Sequence, residues 1–504
     1  MLHGDWLALR ATAHPRRPAI VDVDRDVTLD YATLSARADR AAAALSSLGV
    51  QAGDRVAVLS GNRPELVELL FACGRLGAVL VPLNWRLALA ELLPVAVDAA
   101  PALLLVGDDQ DARRTPLADA LDCPTLSFDR PHGGHPAWSV LAADAGAPPP
   151  RPPIHEATPW LMLYTSGSTG RPKGALLTHG SVTWNCVNTR VGWSLRPDET
   201  TLVHTPLFHT GGWNVLLLPL LHGGGTVLLG AAFDPDQTLD LVAEHAITVL
   251  FAVPTMYTDL LAAQRRQPRD LSSLRFAISG GAPCPLPLIE GFGALGVPLK
   301  QGYGLTEVGP NCFFFPDGQE VARCGSVGLP MPHLEVRLVD EHDVPVGVGE
   351  VGELQLRGPT VCAGYWRNPE ATLAAQAEGG WFRTGDLLTR DADGWFSVVG
   401  RRKEMFISGG ENVYPAEVER VLYALPGVME AAVVPVPDPR WGEVGHAFIS
   451  LDGVAAPLGP DAVRALCREQ LAGYKVPKRV TVLPELPKGP TGKIARLALT
   501  PSRP

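Results

Sequence analysis

Apolar residues recur at helical spacing over Tyr31 to Leu48, then close up into the short apolar run of Arg55 to Ser60, which reads as a buried strand. Pro64 to Leu76 reads as a helix opened by proline, and Ala78 to Val81 as the next strand. This alternation has βαβ rhythm and predicts a parallel-rich sheet; a second unit of the same kind spans Thr226 to Ala252. Beyond Pro330 the texture changes to short strands between glycine and proline turns, at Leu334 to Val339, Gly352 to Arg357 and Trp395 to Val399. After Gly400 it changes again, to a helix around Pro415 to Leu425, a strand at Met429 to Val436, a helix at Pro460 to Leu471 and a strand at Arg479 to Leu483. The expected fold is α/β. A large N-terminal domain over residues 1–400 combines parallel-rich α/β sheets with a β-rich subdomain, and a small α+β C-terminal domain covers residues 401–504.

The proline-dense segment Ala147 to Pro153 is an extended connector ahead of a strand-like run at Trp160 to Tyr164. That run enters Tyr164-Thr165-Ser166-Gly167-Ser168-Thr169-Gly170-Arg171-Pro172-Lys173-Gly174, after which Ala175 to Leu177 resumes the apolar pattern. Glycines let backbone N–H groups turn toward an anion, the hydroxyls add donors, and Lys173 adds charge, so the loop suits polyphosphate. A flexible linker would lack such apolar flanks. A Walker A loop does not fit, because Lys173 stands between Pro172 and Gly174, and no G-x-G precedes the Gly167/Gly170 pair. Downstream, Gln301-Gly302-Tyr303-Gly304-Leu305-Thr306-Glu307 offers a carboxylate suited to Mg²⁺ and an aromatic wall for a flat ring. Ser279-Gly280-Gly281-Ala282-Pro283 is small enough for backbone to approach a ligand closely.

In this order, over nearly the whole chain, these motifs resemble those of the adenylate-forming family: acyl- and aryl-CoA synthetases, beetle luciferases and the adenylation domains of peptide synthetases. The resemblance implies ATP and Mg²⁺, with coenzyme A as co-substrate. It implies phosphate binding by Thr165, Ser166, Gly167, Ser168, Thr169, Gly170 and Lys173, and an adenine pocket between Gly281, Ala282, Pro283 and Gln301, Gly302, Tyr303, Gly304. Thr306 then meets the α-phosphate, Thr165 and Glu307 hold the metal, and Asp386 and Arg401 take the ribose hydroxyls. Lys493, in Pro487-Lys488-Gly489-Pro490-Thr491-Gly492-Lys493-Ile494, is implied to lie on the reacting carboxylate and α-phosphate, with His209 and Thr306 completing the catalytic set. Joining two anions costs about 4 kcal/mol of repulsion at about 4 Å and an effective dielectric near 20, which a cation offsets. Lys403 falls at the family's hinge, which implies a mobile C-terminal domain, and is followed by Glu404 where aspartate is commoner. Gly409 and Gly410 match the loop that enters with the thiol, and Trp441 and Tyr474-Lys475 match contacts to the CoA nucleotide.

Pro206-Leu207-Phe208-His209-Thr210-Gly211-Gly212-Trp213 resembles the family's acid pocket, with His209 near the carboxylate, Gly211 and Gly212 leaving room, and Trp213 either a tunnel gate, as some long-chain enzymes carry there, or an ordinary core tryptophan. The stretch has no acidic residue for a substrate ammonium, which disfavours an amino acid, and no carrier domain is expected after Lys493. The reading is an AMP-forming acyl-CoA synthetase for a medium- or long-chain fatty acid, with an aryl acid such as a benzoate or cinnamate as the alternative. A luciferase-like oxygenase shares the motifs, and a catalytically silent nucleotide sensor is the alternative of another class. A net charge of −10 with no basic stripe argues against nucleic acid. Eight scattered cysteines without C-x-x-C disfavour zinc and a disulfide framework. No secretory signal opens the chain, and its longest apolar stretch, Val215 to Leu221, is broken by Pro219. A soluble cytoplasmic protein is expected, with transient membrane contact and a homodimer left open.

Overall fold

The computed structural model describes residues 4–165, 172–425, 427–451, 459–489 and 493–499. Its six-stranded sheet runs Thr125–Ser127, Leu103–Val106, Arg55–Leu59, Val79–Pro82, Pro159–Thr165, Lys173–Thr178, parallel throughout except for the last pair. Val56 to Leu59 are all buried, as a strand covered on both faces requires. The helix Pro64–Leu76 begins with proline where an N–H would lack a partner anyway and stops at Gly77, whose φ of 73° ends the helix in the left-handed region.

A second sheet orders Val27–Asp30, Pro18–Asp22, Thr226–Leu229, Thr200–Val203. A third, all parallel, orders Val249–Ala252, Phe276–Ser279, Leu299–Gln301. The two abut where the Thr248 N–H donates to the Thr200 carbonyl at 2.9 Å. The strands at either end of the Thr226 to Ala252 unit therefore flank Thr200–Val203 instead of pairing with each other. At their carboxyl ends, Phe276–Ser279 and Leu299–Gln301 release the Gly280 to Pro283 and Gly302 to Glu307 segments, the edge of a parallel sheet where ligands are received.

The β-rich part is an antiparallel sheet of Glu335–Val339, Gly352–Arg357, Trp381–Arg390 and Gln376–Ala377, with Phe396–Arg401 also on Trp381–Arg390. Its last strand runs two residues further than its sequence suggests, and that extension sets Arg401 opposite Asp386. The chain then turns and enters a new sheet at Phe406–Ser408, which continues through Glu411–Val413, Gly442–Leu451, Val428–Asp438 and Arg479–Val482, with helices Pro415–Tyr423 and Pro460–Gln470 alongside. Lys403 lies in the turn between the two sheets.

Candidate active site

Thr165 and Lys173 end and begin the two antiparallel strands of the six-stranded sheet and pair with each other, so the strand register brings together the two stems of the glycine-rich loop. Ser166, Gly167, Ser168, Thr169 and Gly170 lie outside the described residues. Glu307 Oε1 accepts hydrogen bonds from the Thr165 hydroxyl at 3.4 Å and the Tyr365 hydroxyl at 2.9 Å. Burial, and then the Glu307 charge, push the Tyr365 hydroxyl well above the ordinary phenol range, so it stays a donor. Hard oxygens clustered around one carboxylate fit a magnesium ion that also draws on phosphate oxygens. Tyr365 was not singled out from the sequence; its distance from Glu307 along the chain hides the contact.

Gln301 braces the segment facing it: its Oε1 accepts from the Cys284 N–H at 2.7 Å, and its Nε2 donates to the carbonyls of Ser279 and Ala282, each at 3.3 Å. This holds Gly281, Ala282 and Pro283 across from Gly302 and Tyr303. A Cβ on Gly304 would stand 2.3 Å from the Pro310 carbonyl carbon, so that glycine is required by the chain's own close approach. The Tyr303 hydroxyl bonds Asp386, and Asp386 pairs with Arg401 Nε at 2.9 Å. Thr306 opens the 3-10 turn Thr306–Val308 that presents Glu307.

Ahead of His209, Asn62 braces the chain by accepting from the Leu207 N–H at 3.0 Å and donating to the Thr205 carbonyl at 3.1 Å. Burial first, then the positive charges of Lys493 and Arg86, depress the His209 pKa to about 4. Gly212 packs against the Pro206 carbonyl, 2.6 Å from where its Cβ would be. Ideal Cβ atoms on Gly211 and Gly280 would lie 3.2 and 3.0 Å from the two edges of the Phe251 ring, so this ring is wedged between both glycines. Phe251 was missed because it sits inside the apolar strand Val249–Ala252 and reads as core. Trp213 lies where the core reading would put it. The π-helical turn Gly211–Val215 carries it into the main core, where it is 0% exposed and its indole N–H bonds the Leu207 carbonyl.

Lys493 reaches this site from the C-terminal region: its Cε lies 3.5 Å from the position of a Gly281 Cβ. The protein crowded around its ammonium, and then the like charge of Arg401, hold its pKa below the usual lysine value. Its loop is closed by the Gly489 N–H on the Lys493 carbonyl at 2.7 Å and tied down by Arg496, which bonds Glu419 at 2.6 Å and the Val433 carbonyl at 2.9 Å. Gly409 and Gly410 make their contacts elsewhere, in the turn between Phe406–Ser408 and Glu411–Val413. The Gly409 N–H donates to the Trp441 carbonyl at 2.9 Å, and Trp441, 38% exposed, has Arg440 and Lys478 over its ring at 4.7 and 5.9 Å. Lys475 is held by Glu417 at 2.7 Å.

A cation-ready carboxylate, a carboxylate–arginine pair beside an aromatic wall, and a lysine arriving from a second sheet define an enzyme that adenylates an acid. The chain belongs to the AMP-binding enzyme family: the AMP-binding enzyme model matches residues 7–366, and the model of that enzyme's C-terminal domain matches residues 417–493. It is 44% identical to a feruloyl-CoA synthase of an Amycolatopsis species over 98% of this chain and 97% of the relative. It is 41% identical to the indoleacetate–CoA ligase of Aromatoleum aromaticum, over 98% and 96% of the two chains. The o-succinylbenzoate CoA synthetase of Bacillus subtilis, solved with its acyl-adenylate, superposes with a TM-score of 0.88 at 32% identity, covering 100% of this chain and 99% of that one. The protein is thus an AMP-forming acid–thiol ligase whose partners are a small carboxylic acid, ATP with Mg²⁺, and CoA. Among the described residues no helix is long and apolar enough to cross a membrane.

Proposed function

We propose that the acid is aromatic, of benzoate, cinnamate or arylacetate type, and that the fatty-acid reading gives way to this alternative. The observation that carries the proposal is Phe251, a flat ring wedged between Gly211 and Gly280 beside His209. An aryl ring stacks on such a wall, gaining about 0.5–1.5 kcal/mol beyond burial, whereas a long alkyl chain gains nothing from its planarity. The burial of Trp213 favours a core role over a tunnel gate. The feruloyl, indoleacetate and succinylbenzoate ligases among the relatives point the same way.

In the proposed mechanism, the acid's carboxylate enters beside neutral His209 and attacks the α-phosphorus of ATP, breaking its bond to pyrophosphate and forming acyl-AMP. Thr306 and Lys493 meet the charge that builds on the phosphate and carboxylate oxygens, and Asp386 and Arg401 orient the ribose. Ser166 to Gly170 and Lys173 hold the departing phosphates, and Thr165 and Glu307 hold the metal, which when bound offsets phosphate charge. The domain beyond residue 400 then turns about Lys403, withdrawing Lys493 and bringing in Gly409, Gly410 and Trp441 with CoA, whose sulfur attacks the acyl carbon and releases AMP.

Pyrophosphate release measured over benzoate, cinnamate, ferulate, indoleacetate, octanoate and palmitate tests the substrate class. The highest kcat/KM is expected for an aryl acid; a preference for either fatty acid would sink the proposal.

A further inference from the structure

We infer that Asn185 and Asn311 are positioning residues for the acid: their amides hold the π-helical turn Gly211–Val215 against the nucleotide loop and so set where the carboxylate meets His209. This rests on the reading that the acid lies along His209 to Val215.

A π turn departs from the regular i−4 pattern, and carbonyls at its end need partners from outside it. The Asn214 carbonyl accepts from Asn185 Nδ2 at 2.7 Å and from Asn311 Nδ2 at 3.3 Å. The Val215 carbonyl accepts from Asn311 Nδ2 at 3.2 Å, and the same nitrogen donates to Thr189 Oγ1 at 2.8 Å. Asn185 and Thr189 are four residues apart on the helix His179–Gly192 and share its face. Within the turn, the Asn214 side chain donates to Thr210 Oγ1 at 3.1 Å, immediately after His209.

The nucleotide loop reaches the same cluster. Asn311 lies four residues beyond Glu307, and a Cβ on Gly309 would stand 2.8 Å from Asn185 Oδ1. Two side chains, each 2% exposed, therefore join three pieces: a helix, the turn of the acid pocket, and the loop bearing Thr306 and Glu307. Neither amide is part of the proposed contact set for ATP. Their loss should loosen the turn while leaving the nucleotide's own ligands in place, since a buried carbonyl stripped of its donor drives local rearrangement.

The test is steady-state pyrophosphate release by Asn185→Ala and Asn311→Ala with the best acid from the panel, alongside melting curves. Acid KM is expected to rise about tenfold, the equivalent of one lost hydrogen bond, while ATP KM stays within about twofold. The ranking of benzoate, arylacetate and cinnamate, which differ in the spacing of ring and carboxylate, should also change. An unchanged acid KM overturns the inference, as do equal losses in acid and ATP parameters that follow the fall in Tm. Should the alanine variants not fold, Asn185→Gln and Asn311→Gln keep a donor but displace it by one methylene; a wild-type acid KM in both folded variants overturns the inference, and a raised one supports it. If the wild type prefers a fatty acid, the aryl proposal falls, and this test runs unchanged on that acid.

Discussion

His209 is an uncharged imidazole at pH 7, because burial and two nearby cations place its pKa at about 4. The unfolded value is about 6.5, so between the two the unfolded chain binds more protons and stability falls as pH drops from about 6.5 toward about 4. His204, buried and depressed to the same value, loses stability over the same range, so His209→Gln is expected to remove only part of that slope, read from urea midpoints at pH 7 and about 4.5; an unchanged slope would remove His209 as a contributor. On the proposed mechanism, neutrality also suits a group that receives an anion without trapping it as an ion pair. Lys493→Ala should lower the rate of acyl-AMP formation by at least about a hundredfold, since it takes a cation from the charge built up in the transition state. The same variant should still convert supplied acyl-AMP to thioester, and near wild-type adenylation would show that the lysine is misassigned. Trp213→Ala is expected to cost about 3–5 kcal/mol of stability and to depress activity on all acids alike, as a cavity in the core does. A selective change with acid length and an unmoved Tm would restore it as a gate. Its sequence position allows either role, and its burial favours the core.

At the scale of elements, periodicity was enough to place the helix at Pro64–Leu76 and to find the change of texture at Pro330, because proline starts and continuous apolar runs are local signals. Pairing was harder to read. That Thr200–Val203 comes between the two strands of the Thr226 to Ala252 unit depends on contacts distant in sequence. The site divides in the same way: Thr165, Glu307, Asp386 and Arg401 stand in recognisable motifs, whereas Phe251 and Tyr365 acquire their places only from tertiary packing. The break between sheets at Arg401 and Phe406 gives the proposed hinge a physical basis, since the Arg402 N–H still bonds the Gly385 carbonyl at 2.9 Å and the new ladder has not begun. Lys403→Pro fixes φ in that turn. Adenylation is expected to persist and thioester formation to fall at least about tenfold by single-turnover measurement; equal loss in both would place the hinge elsewhere.

Across the whole molecule, the proposed mechanism confines the metal to adenylation, whereas the C-terminal sheet carries a part for each half of the reaction. Chelation with EDTA is expected to stop pyrophosphate release while leaving thioester formation from supplied acyl-AMP, and loss of both steps would give the metal a second role. The Lys493 loop and the Gly409 turn are both fastened to one sheet. Arg496 anchors the first through Glu419 and Val433, and Ser408 pairs with Gly442 to anchor the second. On the proposed assignment such a body works as a turnstile: admitting one arm withdraws the other, so pyrophosphate must leave before thiol can react. Double-reciprocal plots of velocity against ATP at several CoA concentrations should then be parallel lines, the mark of a turnover divided by a product's departure.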